Sequence, residues 1–121
     1  MTAAHCVAGQ SASSLKIRYN TLKHSSGPTV GVAKIISHPN YDSWNIDNDI
    51  ALIQVSTPLT LGQTQAKAAK LPEQGSDPTG QVTISGWGYL REGGGSLPAD
   101  LQTLNVPVVD RQTCNSQYDG G

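Results

Sequence analysis

The chain has 121 residues, with eight Lys and Arg against nine Asp and Glu for a net charge of −1. That is the size of one ordinary domain, and the scattered basic residues argue against an electrostatic footprint for nucleic acid or an anionic membrane. Thirteen Gly and seven Pro, with no Phe, favour short elements joined by turns, and no run approaches the roughly 20 apolar residues of a transmembrane helix.

The N-terminus carries no basic region followed by an apolar one, so it does not read as a signal peptide. It begins abruptly, as if within a structural element, at Thr2-Ala3-Ala4-His5-Cys6. Leu15 to Tyr19 alternates apolar and polar residues, the pattern of a half-buried strand. Residues 20–29 hold Asn, Ser, Gly and Pro and form a loop. Val30 to Ile36 is rich in β-branched residues and predicts a second strand, stopped at His38-Pro39. The polar stretch from Tyr41 to Asp47 is expected to be a loop with Trp44 and Ile46 as apolar anchors. Ile50 to Val55 is a nearly continuous apolar run of strand length and predicts a buried strand.

Residues 59–80 read as a connection between two halves. Gln63 to Lys70 has helix formers, but it lacks an apolar stripe and is bounded by Gly62 and Pro72. Gln81 to Trp87 alternates again. Arg91 to Ser96 is a Gly-rich loop. It lacks the Gly-Lys-Ser/Thr ending and following helix of a phosphate loop. Leu104, Val106 and Val108 alternate, with Pro107 marking an edge or a bulge. Asp110 is a good N-cap for a short helix beginning before Cys114. The chain ends at Gly120-Gly121 without a closing element. Short strands, frequent turns and a mid-chain connection predict an all-β barrel or sandwich.

Two cysteines, Cys6 and Cys114, are compatible with a mutual bridge, two free thiols, or two halves of bridges to other chain segments. Of the three histidines, His24 and His38 have no partner pattern. His5 stands differently. Asp49 follows it by 44 residues and opens Asp49-Ile50-Ala51-Leu52-Ile53, and Ser85-Gly86-Trp87-Gly88 comes later in the same order. Together these three motifs resemble the histidine, aspartate and second-barrel segments of the trypsin-like serine proteases, the chymotrypsin-fold family. Ile17 to Asn20, Leu22 to Gly27 and Gly86 to Leu90 resemble most the trypsin-like group 3 allergens of mites.

The resemblance implies part of a two-barrel fold. Residues 1–57 would belong to the N-terminal β-barrel, 58–80 to the connection and 81–121 to the first part of the C-terminal barrel. It also implies roles. A serine hydroxyl needs a base to take its proton, a histidine can accept and later return it, and a carboxylate holds the imidazole in one tautomer. His5 would be that base and Asp49 its partner. Asp49 is preferred to Asp47 and Asp42 because it directly precedes the apolar run, where a carboxylate can be held at a buried strand start. Ile46 and Tyr41 match substrate-binding positions, although packed loop anchors are an equal alternative. Trp87 reads as a packing residue. The partners of Cys6 and Cys114 would lie before residue 1 and beyond residue 121, leaving two unpaired thiols. No metal or cofactor is implied. The Asp-rich stretch lacks the EF-hand order, and residues 21–32, where some relatives hold calcium, contain no Asp or Glu.

The expected function is that of a secreted, extracellular, monomeric serine endopeptidase cutting after Lys or Arg. Its partners would be protein or peptide substrates and protease inhibitors. Arg91 would be an exposed site of self-cleavage. The nucleophile segment Gly-Asp-Ser-Gly is not in these residues. Nor are the expected oxyanion donors and specificity pocket. The chain therefore reads as an internal fragment that is inactive by itself, marginal in stability and prone to edge association. The alternative is a non-catalytic homologue acting as a binding or antigenic protein.

Overall fold

Five antiparallel strands carry the architecture in the computed structural model, which describes residues 1–62 and 66–118. The strands are β1 (Lys16–Arg18), β2 (Thr29–Ser37), β3 (Ala51–Val55), β4 (Gln81–Gly86) and β5 (Gln102–Pro107). Two short helices, α1 (Ala4–Val7) and α2 (Arg111–Gln117), and a 3-10 turn (Ala12–Ser14) complete the ordered elements. The chain is mostly β. It divides into two units, the first made of Met1–Thr21 and Ser26–Ala68, the second of Leu22–Ser25 and Ala69–Gly121.

In the first unit the strands pair in the order β1-β2-β3. The alternation at Leu15 to Tyr19 becomes β1, with Ile17 opposite Val30 of β2. The β-branched run becomes β2, whose Ile35, Ile36 and Ser37 lie opposite Ile53, Leu52 and Ala51 of β3. The register shifts between Val32 and Lys34, so Ala33 is an extra residue that bends β2. Val30 and Val32 are buried on one face.

β3 departs from the buried strand expected of Ile50 to Val55. Ala51 is 2 % exposed, but Leu52 is 50 % exposed and Ile50 40 %. The reason is geometric. Successive strand residues face opposite ways, and among the described residues the packing lies on the Ala51 face. There Ala51 packs with Ala4 and Val7 of α1, flanked by Leu15, Ile35, Tyr41 and Ile53. The small core explains the residue types near the N-terminus, since Ala4 has no exposed surface at all and a larger side chain would displace the helix.

The second unit is a β4–β5 ribbon in continuous register from Gln81↔Pro107 to Gly86↔Gln102. Pro107 ends its strand, where its missing N–H is least costly. None of its described apolar side chains is fully buried. Val82, Ile84 and Leu104 are 39 %, 51 % and 59 % exposed, because among the described residues of this unit the two-stranded ribbon packs against no second sheet. Trp87 is half-buried and its Nε1–H donates to the Leu22 carbonyl at 3.1 Å, in keeping with a packing residue. α2 begins as expected. Asp110 caps it by accepting the Thr113 N–H at 2.9 Å and the Thr113 hydroxyl at 2.6 Å. Arg111 Nη2 donates to Asp77 Oδ1 at 2.5 Å.

Residues 67–80 contain neither helix nor strand. Gln63, Thr64 and Gln65 of the same region, and the closing Gly120-Gly121, lie outside the described residues.

Candidate active site

The site begins with one backbone exchange. Thr2 N–H donates to the Ala51 carbonyl at 2.9 Å and Ala51 N–H returns the bond to Thr2 at 2.8 Å. This antiparallel bridge runs the chain after Thr2 alongside the chain before Ala51. Residues 48–50 therefore approach the start of α1, and Asp49 faces His5 although 44 residues separate them in sequence.

The helix start supplies the second constraint. Ala3 occupies the N-cap position and has no side-chain acceptor to offer. The first N–H groups of a helix need a partner, and Asp49 provides one from another segment. His5 N–H donates to Asp49 Oδ1 at 2.8 Å, and the His5 ring places Nδ1 at 2.6 Å from Asp49 Oδ2. One carboxylate thus grips both the backbone and the ring of the same residue. The His5 ring hydrogen bond, followed by the His5 backbone N–H, holds the Asp49 carboxyl below the usual carboxylate range, opposed by a smaller burial effect.

An ionised carboxylate can only accept. Nδ1 must then carry the proton, which leaves Nε2 of the neutral ring as a free base. The buried face of α1 fixes the direction of that edge. Ala4 and Val7 face the core, three residues apart, while His5 and Cys6 face outward. The His5 side chain is 56 % exposed and that of Asp49 21 %. Asp49 is therefore less enclosed than a buried strand start would make it, because β3 begins two residues later, at Ala51.

The neighbouring loop is closed by reciprocal backbone bonds between Asp42 and Asp47, both 3.0 Å. Asn48 Nδ2 donates to the Asn40 carbonyl at 3.0 Å. Asp42 is engaged locally. The Asn45 side chain, then the Trp44 and Asn45 N–H groups, hold its carboxyl below the usual range. Trp44 is 91 % exposed, so it anchors nothing. Its backbone is pinned by Asp42 instead, with Trp44 N–H donating at 2.9 Å. Tyr41 packs against the Ala4–Val7–Ala51 core. Ile46 is 51 % exposed at φ +53°, a conformation costly for a β-branched residue. Such strain is kept where the surroundings demand it, often at functional sites. His38 Nδ1 accepts the Asn40 N–H at 3.0 Å, a structural task.

Two features were not legible beforehand. Helix α1 is too short to show a period. The Cys6 thiol, free and exposed like that of Cys114, places Sγ 3.6 Å from His5 Nε2. Adjacency in sequence was the only available signal for that contact. Among the described residues no cluster of three or more His, Cys, Asp or Glu could hold a metal ion.

All of residues 1–121 match the family model described as Trypsin. The chain is 59 % identical to trypsin Blo t 3 of Blomia tropicalis, over 98 % of this chain and 46 % of that protein. It is 42 % identical to trypsin Tyr p 3.0101 of Tyrophagus putrescentiae, over 99 % of this chain and 44 % of that one. The crystal structure of the scabies mite inactivated protease paralogue S-D1 superposes with a TM-score of 0.87 at 31 % identity, covering 98 % of this chain and 51 % of that chain. The chain spans about half the length of these relatives.

Proposed function

We propose, from the premise that this chain belongs to the trypsin family, that it supplies the histidine and aspartate of a Ser-His-Asp triad in a secreted serine endopeptidase. The observation that carries this reading is the double grip of Asp49 on His5, at 2.8 Å to the backbone and 2.6 Å to Nδ1. His5 Nε2 takes the proton of the nucleophilic serine as it attacks the peptide carbonyl, then delivers it to the leaving amine. Asp49 fixes the tautomer and stabilises the imidazolium formed in between. Ile46 and Tyr41 contribute to the substrate surface, Ile46 by its exposed side chain and Tyr41 by supporting the loop. Cleavage after Lys or Arg is the preference that the trypsin relatives suggest. On this reading residues 1–57 contribute to the first barrel and 81–121 to the second.

These 121 residues contain no Gly-Asp-Ser-Gly, so taken alone they lack the serine of the triad. The chain by itself is therefore expected to be inactive. A serine-reactive fluorophosphonate tests the division of labour. The 121-residue chain should stay unlabelled, and its extension through a Gly-Asp-Ser-Gly segment should label. Labelling of the chain as it stands would overturn the reading.

A second reading has one observation in its favour. The structural neighbour S-D1 is described as an inactivated protease paralogue, so the fold tolerates loss of activity, and the alternative is a non-catalytic homologue. The residue at the serine position of the complete reading frame separates the two. Retention of both His5 and Asp49 favours catalysis, because a binding protein needs neither.

A further inference from the structure

We propose that Asn48 is a positioning residue, which turns the chain so that Asp49 meets His5 with both carboxylate oxygens. Two hydrogen bonds bracket Asp49. On one side Asn48 Nδ2 donates to the Asn40 carbonyl at 3.0 Å. On the other, the Ile50 carbonyl accepts the His38 N–H at 2.9 Å. Both residues flanking Asp49 are thereby tied to the same turn, residues 38–41. That turn is itself fixed. Tyr41 N–H donates to the His38 carbonyl at 3.0 Å and Tyr41 packs against the core of the unit, while Pro39 restricts the backbone between them.

Asn48 contributes a second time through its own backbone. Ile50 N–H donates to the Asn48 carbonyl at 2.8 Å, which closes a three-residue turn with Asp49 at its centre. Asn48 enters that turn at φ +53°, a left-handed conformation that Asn adopts more readily than most residues. The direction of this turn matters because Asp49 has two bonds to satisfy at once. Oδ1 takes the His5 N–H at 2.8 Å and Oδ2 faces Nδ1 at 2.6 Å. The carboxylate is planar and rigid, so a swing of the backbone that carries it cannot keep both. Asn48 thus acts through Asp49 and not on the reacting atoms. Its effect on a reaction rate rests on the peptidase reading, whereas its effect on the Asp49–His5 geometry does not.

The experiment uses the complete reading frame with Asn48→Gly, Asn48→Ala and, as a control, Asn45→Ala. Glycine keeps the left-handed backbone and loses the bond to Asn40, and alanine loses both. Asn45 Nδ2 donates to Asp42 Oδ2 at 2.7 Å in the same loop, so its removal loosens the loop without untying Asp49. For peptide cleavage kcat should fall about fivefold in Asn48→Gly, the scale of one hydrogen bond, with KM unchanged. It should fall about thirtyfold in Asn48→Ala, where an adverse backbone adds to the loss. The low-field Nδ1 proton resonance of His5 should move upfield in the same order, and Asn45→Ala should match the unsubstituted protein in both readouts. A resonance unmoved in both Asn48 variants would overturn the proposal, as would a rise in KM alone or equal losses in Asn45→Ala. His5→Ala, run in parallel, judges the peptidase reading separately. Cleavage that survives it rejects that reading, while the Nδ1 resonance still decides the role of Asn48.

Discussion

Val7→Ala tests whether the small core positions the site. Val7 is 5 % exposed and lies on the inner face of α1 with Ala4, against Ala51. The substitution deletes two methyl groups from a nearly closed environment. At about 0.8 kcal/mol for each buried carbon the transfer loss is about 1.6 kcal/mol. A residual cavity adds to it, giving about 2 kcal/mol in total. For a unit of this size that corresponds to a fall in Tm of roughly 10 °C. Urea unfolding followed by far-ultraviolet circular dichroism should show the lower midpoint at an unchanged slope. The His5 ring resonances should broaden in the same variant, because Val7 seats the turn that carries them. A loss below about 0.5 kcal/mol, with sharp His5 signals, would refute the idea that this face of α1 holds the site in place.

Three further outcomes follow from other parts of the structure. Asp49 is held below the usual carboxylate value of about 3.9 by His5; its contribution is full above that value and is lost as pH falls through the lower folded value. The Nδ1 proton resonance of His5 should therefore persist on acidification through pH 4 and vanish below it, and be absent at every pH in Asp49→Ala. Ile46→Asn should raise stability by about 1 kcal/mol, since Asn tolerates the left-handed backbone that Ile46 adopts at φ +53° with less strain; in a complete enzyme the same change should raise KM for peptides more than it lowers kcat. Asp110→Ala should fray α2, seen as loss of amide protection at Thr113 and Cys114, whereas Asp110→Asn should retain it because Asn caps comparably.

The strands were legible because their signals are local. Alternation at Leu15 to Tyr19 and β-branching in Val30 to Ile36 report directly on a pleated chain. Asp110 announced α2 by its capping chemistry. What failed to show was set by packing partners. Ile50 to Val55 carries the composition of a buried strand, yet Leu52 is exposed because nothing described lies on that face. Trp44 looks like an anchor by residue type alone, and its loop is instead closed by backbone bonds and by Asp42. At the site, the motif residues singled out His5 and Asp49, but the reason they meet is the Thr2–Ala51 bridge. No residue type advertises that bridge. The contact between Cys6 and His5 is likewise a matter of rotamer and helix direction.

The most direct test of the central claim is peptide cleavage by the complete reading frame, activated and assayed on substrates with Lys or Arg before the cut. The account predicts that His5→Ala reduces kcat/KM by about four orders of magnitude or more, and that Asp49→Asn, which still accepts the His5 N–H but cannot hold the Nδ1 proton, does so by a comparable factor. Cleavage that survives either substitution to within about tenfold would contradict it.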